Sequence, residues 1–124
     1  MNYENMTIND LVGKKIENVG ISDNNEILKI VTEQYVFEFY HDQDCCEQVR
    51  IEDINGYWSD LIGEVCTLAE ESSKNNYDNM NDSQTWTFYK FGSVKGTVVV
   101  RWLGESNGYY SESVDLKVSV RENV

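Results

Sequence analysis

Near the end of the chain Val114, Leu116, Val118 and Val120 alternate with Ser113, Asp115, Lys117 and Ser119. In residues 34–41, Tyr35, Phe37 and Phe39 alternate with Val36, Glu38 and Tyr40. A period of two sends successive side chains to opposite faces of a strand, so each stretch has one apolar face that must be covered. Polar residues on the other face fit a sheet with one wet side, which is the antiparallel arrangement. This pattern restricts the chain more than any other feature.

Further β-prone runs occupy 15–22, 26–32, 46–54, 64–72, 85–91 and 96–103, and the last run is read as 109–120. Residues 7–12 suggest a short helix with Thr7 as N-cap and Gly13 closing it. Residues 56–63 read as a single helical turn that docks Trp58, Leu61 and Ile62 on a sheet. The polar stretch 73–84 reads as a loop. There is no proline, so turns fall to Gly, Asn, Asp and Ser. Short connections favour hairpins over crossovers. The expected fold is a single α+β domain over 1–124, mostly antiparallel β-sheet with one or two short helices.

Charge narrows the partners. The chain carries 22 acids against 10 Lys and Arg, a net charge of −12. Such a surface repels nucleic-acid phosphates and anionic lipid and is steered toward basic surfaces. No apolar run approaches the ~20 residues needed to span a bilayer, and the start MNYENMTINDL has no secretory pattern. A cytoplasmic protein is expected, with no direct nucleic-acid or membrane contact.

The segment HDQDCCEQV, residues 41–49, holds the single histidine and two of three cysteines. His41, Cys45 and Cys46 are the metal candidates, with Cys66 or a nearby acid as a further ligand, and adjacent cysteines on a strand point to opposite faces. No C-x-x-C is present, and an odd cysteine count fits reduced, mostly buried thiols. A Cys–His catalytic pair exists only on paper, and Glu47, Glu52 and Asp53 carry no specificity among so many acids. The segment therefore reads as a turn ending a strand, its cysteines packing the core and its acids facing solvent.

Residues 98–114 offer a second site. Asn107-Gly108 signals a hairpin that would set Trp102 opposite Tyr110 and Arg101 opposite Ser111. Tyr, Trp and Arg are enriched in binding hot spots. Candidate partner-binding residues are Asn107, Tyr109, Tyr110 and Glu112, joined by Asp42, Asp44 and Glu47 where the acidic turn shares their edge. Arg101, Trp102 and Tyr110 would serve an alternative nucleotide-like ligand. Trp86, Phe88, Tyr89 and Phe91 around Lys90 read as a core strand rather than a base-stacking platform. Phosphate-binding glycine loops are absent.

The ordered motifs H-D-x-x-C-C-E, I-E-D-I-x-G, W-T-F-Y-K and S-N-G-Y-Y-S-E span about residues 10 to 116. They resemble a family of small uncharacterised proteins of phages, prophages and bacteria. Tyr57-Trp58 departs from the small or acidic residue often found after I-E-D-I-x-G. The resemblance implies a shared fold and brings no catalytic residues. Small acidic phage proteins often bind a host protein, including nucleases of defence systems.

The leading expectation is a non-enzymatic, cofactor-free binding protein that engages a basic host surface, as an anti-defence inhibitor in a nucleic-acid-handling complex's basic groove. A nucleotide-like ligand binder is the alternative, and a metal-dependent enzyme on His41 a third. An exposed β edge would permit a homodimer.

Overall fold

The alternation builds eight strands in the computed structural model, which describes residues 6–77, 83–108 and 110–121. They are β1 (Ile16–Ile21), β2 (Leu28–Thr32), β3 (Tyr35–Tyr40), β4 (Gln48–Asn55), β5 (Leu68–Tyr77), β6 (Ser83–Gly92), β7 (Thr97–Ser106) and β8 (Asp115–Val120). Two four-stranded antiparallel sheets result, ordered β1-β2-β3-β8 and β4-β7-β6-β5.

The apolar faces meet between the sheets. Leu28, Ile30, Phe37, Phe39 and Val118 from one sheet face Val49, Ile51, Tyr89, Phe91, Val100 and Trp102 from the other, all buried. Phe39 crosses the seam, with ring centroids 4.8 Å from Tyr89 and 5.8 Å from Phe91. Leu11, Leu61 and Cys66 belong to the same core. The Asp23–Asn25 turn is pinned from two sides. Asn25 takes the left-handed conformation (φ 61°), its N–H donates to Ser22 at 3.0 Å, and its carbonyl accepts the Ile51 N–H at 2.7 Å.

Four expectations change. Helical structure among the described residues consists of two 3-10 turns, Ile8–Leu11 and Trp58–Asp60, so the fold is a β-sandwich and not α+β. The first turn stops because Gly13, at φ 91°, swings its N–H onto the Cys66 carbonyl at 2.8 Å. Residues 73–77, read as loop, extend β5 and pair with 83–87 of β6; residues 78–82 lie outside the described segments. Backbone pairing carries this polar edge where side chains give no apolar signal. Charges at Glu70, Glu71 and Lys74 discourage another strand from adding there.

The third and fourth changes concern connectivity. The last strand begins at Asp115, not at 109. It pairs with β3, with Phe37 opposite Val118, while β7 lies between β4 and β6. Trp102 therefore sits opposite Ile51 and Thr87, and Arg101 opposite Asp53 and Phe88. Asn107-Gly108 does turn the chain, but both edges of β7 are already occupied, so the strand beyond must cross to the other sheet.

Candidate functional site

The two segments singled out by sequence, 41–49 and 98–114, are tied together. His41 ends just past β3 and places its Nδ1 2.7 Å from the Ser113 carbonyl and its Nε2 2.7 Å from a Glu47 carboxylate oxygen. A carbonyl and a carboxylate only accept, so both ring nitrogens are placed to donate, an arrangement that favours the protonated imidazolium. The side chains of His41 and Glu47 are 4% and 0% exposed. Burial opposes protonation of His41, but the hydrogen bonds to Glu47 and Ser113 and the charges of Glu47 and Asp115 outweigh it and raise its pKa. The same His41 bond, against burial and with help from N–H donors, lowers the Glu47 carboxyl to about 2.

Glu47 also orders its own loop. It accepts the Asp44 N–H at 2.8 Å and the Cys45 N–H at 2.9 Å, while the Gln43 side-chain amide donates to the Glu47 carbonyl. The Asp42 N–H donates to the Asp115 carboxylate at 3.1 Å, a second bridge to the start of β8. Glu47 is thus an internal fastener, which corrects its expected place among solvent-facing, partner-binding acids.

Glu112 has the same kind of role at the other loop. It is 7% exposed and accepts hydroxyl hydrogens from Ser83 (3.1 Å), Thr85 (2.7 Å) and Ser106. Its backbone lies hard against β7. A Cβ on Gly104 would come within 2.5 Å of the Glu112 carbonyl oxygen and 2.7 Å of its Cβ. Backbone cannot yield as a side-chain tip can, so Gly104→Ala is expected to cost about 1–3 kcal/mol. Urea unfolding measures it; an unchanged midpoint would show that the 110–114 segment does not rest on β7.

What faces outward is then a reduced set. Asp42, Gln43, Asp44 and Asn107 are exposed and Tyr110 is half-buried; Tyr109 lies outside the described residues. A cavity of about 220 Å³ opens beside His41, lined by Glu26, Glu38, Tyr40, Gln43 and Val49. The Tyr40 phenol is raised, first by burial and then by the charges of Asp115, Asp42 and Glu38. Several carboxylates therefore impose a negative field on one end of the sandwich. Glu38 shares part of its charge with Lys29 at 3.8 Å.

The alternative ligand set is not brought together. Trp102 is fully buried on the inner face. Arg101 projects from the outer face, its guanidinium 4.8 Å from the Trp86 ring centroid and 3.6 Å from Asp53. Trp86 and Phe88, read as core, are half-buried on this outer face, whereas Tyr89 and Phe91 are buried in the core as expected. The three metal candidates do not converge either. Both His41 nitrogens are engaged, and Cys45 and Cys46 are joined to each other by a disulfide. No group of three or more His, Cys, Asp or Glu among the described residues is arranged to hold an ion.

The cysteine expectation is overturned as well. Cys45 and Cys46 are exposed in a bend before β4, not on a strand, so strand alternation does not separate their sulfurs. Only Cys66 is the buried free thiol expected. Sequence reasoning missed the His41–Glu47 pair and the hydroxyl cage of Glu112. Only their places at the ends of two motifs hinted at either.

A family model described as domain of unknown function (DUF7448) matches residues 9–116. No curated protein and no solved structure matches the chain. Among the described residues no helix is long and apolar enough to cross a membrane.

Proposed function

We propose that this chain, which belongs to the DUF7448 family, is a non-enzymatic binding protein that docks its acidic end on a basic surface of a host macromolecule. Its most concrete form is a phage- or prophage-type inhibitor that occupies the basic groove of a nucleic-acid-handling defence complex inside the bacterial cell. One observation carries the reading. Asp42 and Asp44 stand on a loop fixed by the buried His41–Glu47 pair, beside a recess lined by Glu26 and Glu38. A loop backbone held in place lowers the ordering cost of presenting these carboxylates at the moment of binding, which favours a partner presenting Lys or Arg side chains. The phage association rests on the motif resemblance.

A fluorescent oligolysine is the probe. Binding is expected to weaken steeply between low salt and about 0.15 M, where the screening length falls to about 8 Å. Charge reversal at Asp42 and Asp44 together is expected to weaken it about tenfold. Reversal at Glu33 and Glu70 makes the same change in net charge away from this end and is expected to do much less. Equal losses from the two double variants would reduce the binding to net charge and remove the site.

A further inference from the structure

We infer that Cys45 and Cys46 form an exposed site of reversible thiol–disulfide exchange that prefers a small cationic thiol to an anionic one. Both residues are exposed, and their sulfurs are bonded to each other, so the reactive bond lies at the surface. The loop that presents them is not held by sulfur. The Glu47 carboxylate takes the Asp44 and Cys45 N–H groups, and the Gln43 amide donates to the Glu47 carbonyl, and none of these hydrogen bonds uses a sulfur atom. Opening the bond removes none of these hydrogen bonds directly, so the two thiols are expected to stay side by side on the same loop.

The exchange is balanced. The attacking thiolate forms a bond to one cysteine sulfur, the Cys45–Cys46 bond breaks, and the other cysteine leaves as a thiolate that takes a proton from water. A second external thiol then resolves the mixed disulfide, giving two cysteine thiols and one oxidised external disulfide. Alternatively the freed cysteine attacks back and expels the thiol, which closes the pair again.

Electrostatics set the preference. Asp42 and Asp44 lie just before the pair in the chain and are exposed. Their charges oppose approach of an anionic thiolate and favour one whose own ammonium compensates it. Cys66 supplies an internal contrast. It is fully buried, its Sγ–H donates to the Leu68 carbonyl at 3.2 Å, and burial pushes its thiol pKa up.

Intact-mass measurement after N-ethylmaleimide tests the site on the full native chain. Air-oxidised protein is expected to take up no label, protein treated with dithiothreitol two, and reduced protein unfolded in guanidinium three. Two labels before reduction would show that the pair does not close, and none after reduction would show that it is not accessible; either overturns the inference. With cysteamine and glutathione compared at equal thiolate concentration and low salt, cysteamine is expected to open the bond several times faster. That advantage should shrink in high salt and in Asp42→Asn/Asp44→Asn. Equal rates at low salt would overturn the charge preference. None of these outcomes depends on a macromolecular partner.

Discussion

Glu112→Ala is expected to lower stability by about 3 kcal/mol, a fall in Tm of roughly 10 °C for a domain of this size. Three hydroxyls, on Ser83, Thr85 and Ser106, donate to its carboxylate. Ser83 is buried, and without the carboxylate its hydroxyl has no described partner to replace it. Thr85 and Ser106 are partly exposed, so water offsets some of their loss and keeps the sum well below three full penalties. Glu112→Gln preserves volume and one carbonyl acceptor, and hydroxyls can rotate to accept from the amide; about a third of the loss is expected. Thermal unfolding followed by circular dichroism reads both. If Glu112 were a surface acid waiting for a partner, both variants would stay within about 0.5 kcal/mol of the parent.

The second large effect is on pH dependence. His41 has a raised pKa, so its contribution is complete below the ordinary value of 6.5 and is lost as pH climbs through the raised one. Glu47 is lowered to about 2, so its contribution is complete above the ordinary 4.5 and is lost as pH falls through about 2. The pair therefore stabilises the fold most between 4.5 and 6.5. Glu47→Gln removes the charge that holds the imidazolium and weakens the acceptor for the Asp44 and Cys45 N–H groups. It is expected to lower Tm most within that interval and to flatten the decline of stability at pH values above it. A Tm deficit that is the same at every pH would mean that Glu47 acts by shape alone and that His41 is not its charged partner.

Period-two alternation located β3 and β8, where Phe37, Phe39 and Val118 point into the core and Glu38, Lys117 and Ser119 point away from it. It could not say which strands pair. Leu116 and Val118 give the same pattern whether their neighbour is β7 or β3, and Asn107-Gly108 specifies a local reversal without specifying a sheet. The polar half of β5 escaped for the opposite reason, since its place is set by a backbone ladder to β6 and not by apolar side chains.

The site was legible only in outline. The sequence marked residues 41–49 and 98–114 as unusual, and the structure joins them through His41 and Ser113. Which acids face solvent was not legible, because nothing local separates Glu47 from Asp44 or Glu112 from Glu105. The difference lies in donors supplied from elsewhere: Ser83 and Thr85 are 29 and 27 residues from Glu112. The neighbouring cysteines misled because strand geometry was applied to a bend.

The most direct test asks whether the two loops behave as one edge. Amide hydrogen exchange of the full chain, compared with that of His41→Ala, reads this residue by residue. Faster exchange is expected together at the Asp44 and Cys45 amides and across residues 113–115, with the amides of β2, β6 and β7 unchanged. A variant in which only 41–47 loosens while 113–115 keeps its protection would show that His41 does not join the loops, and the acidic edge would not exist as a unit.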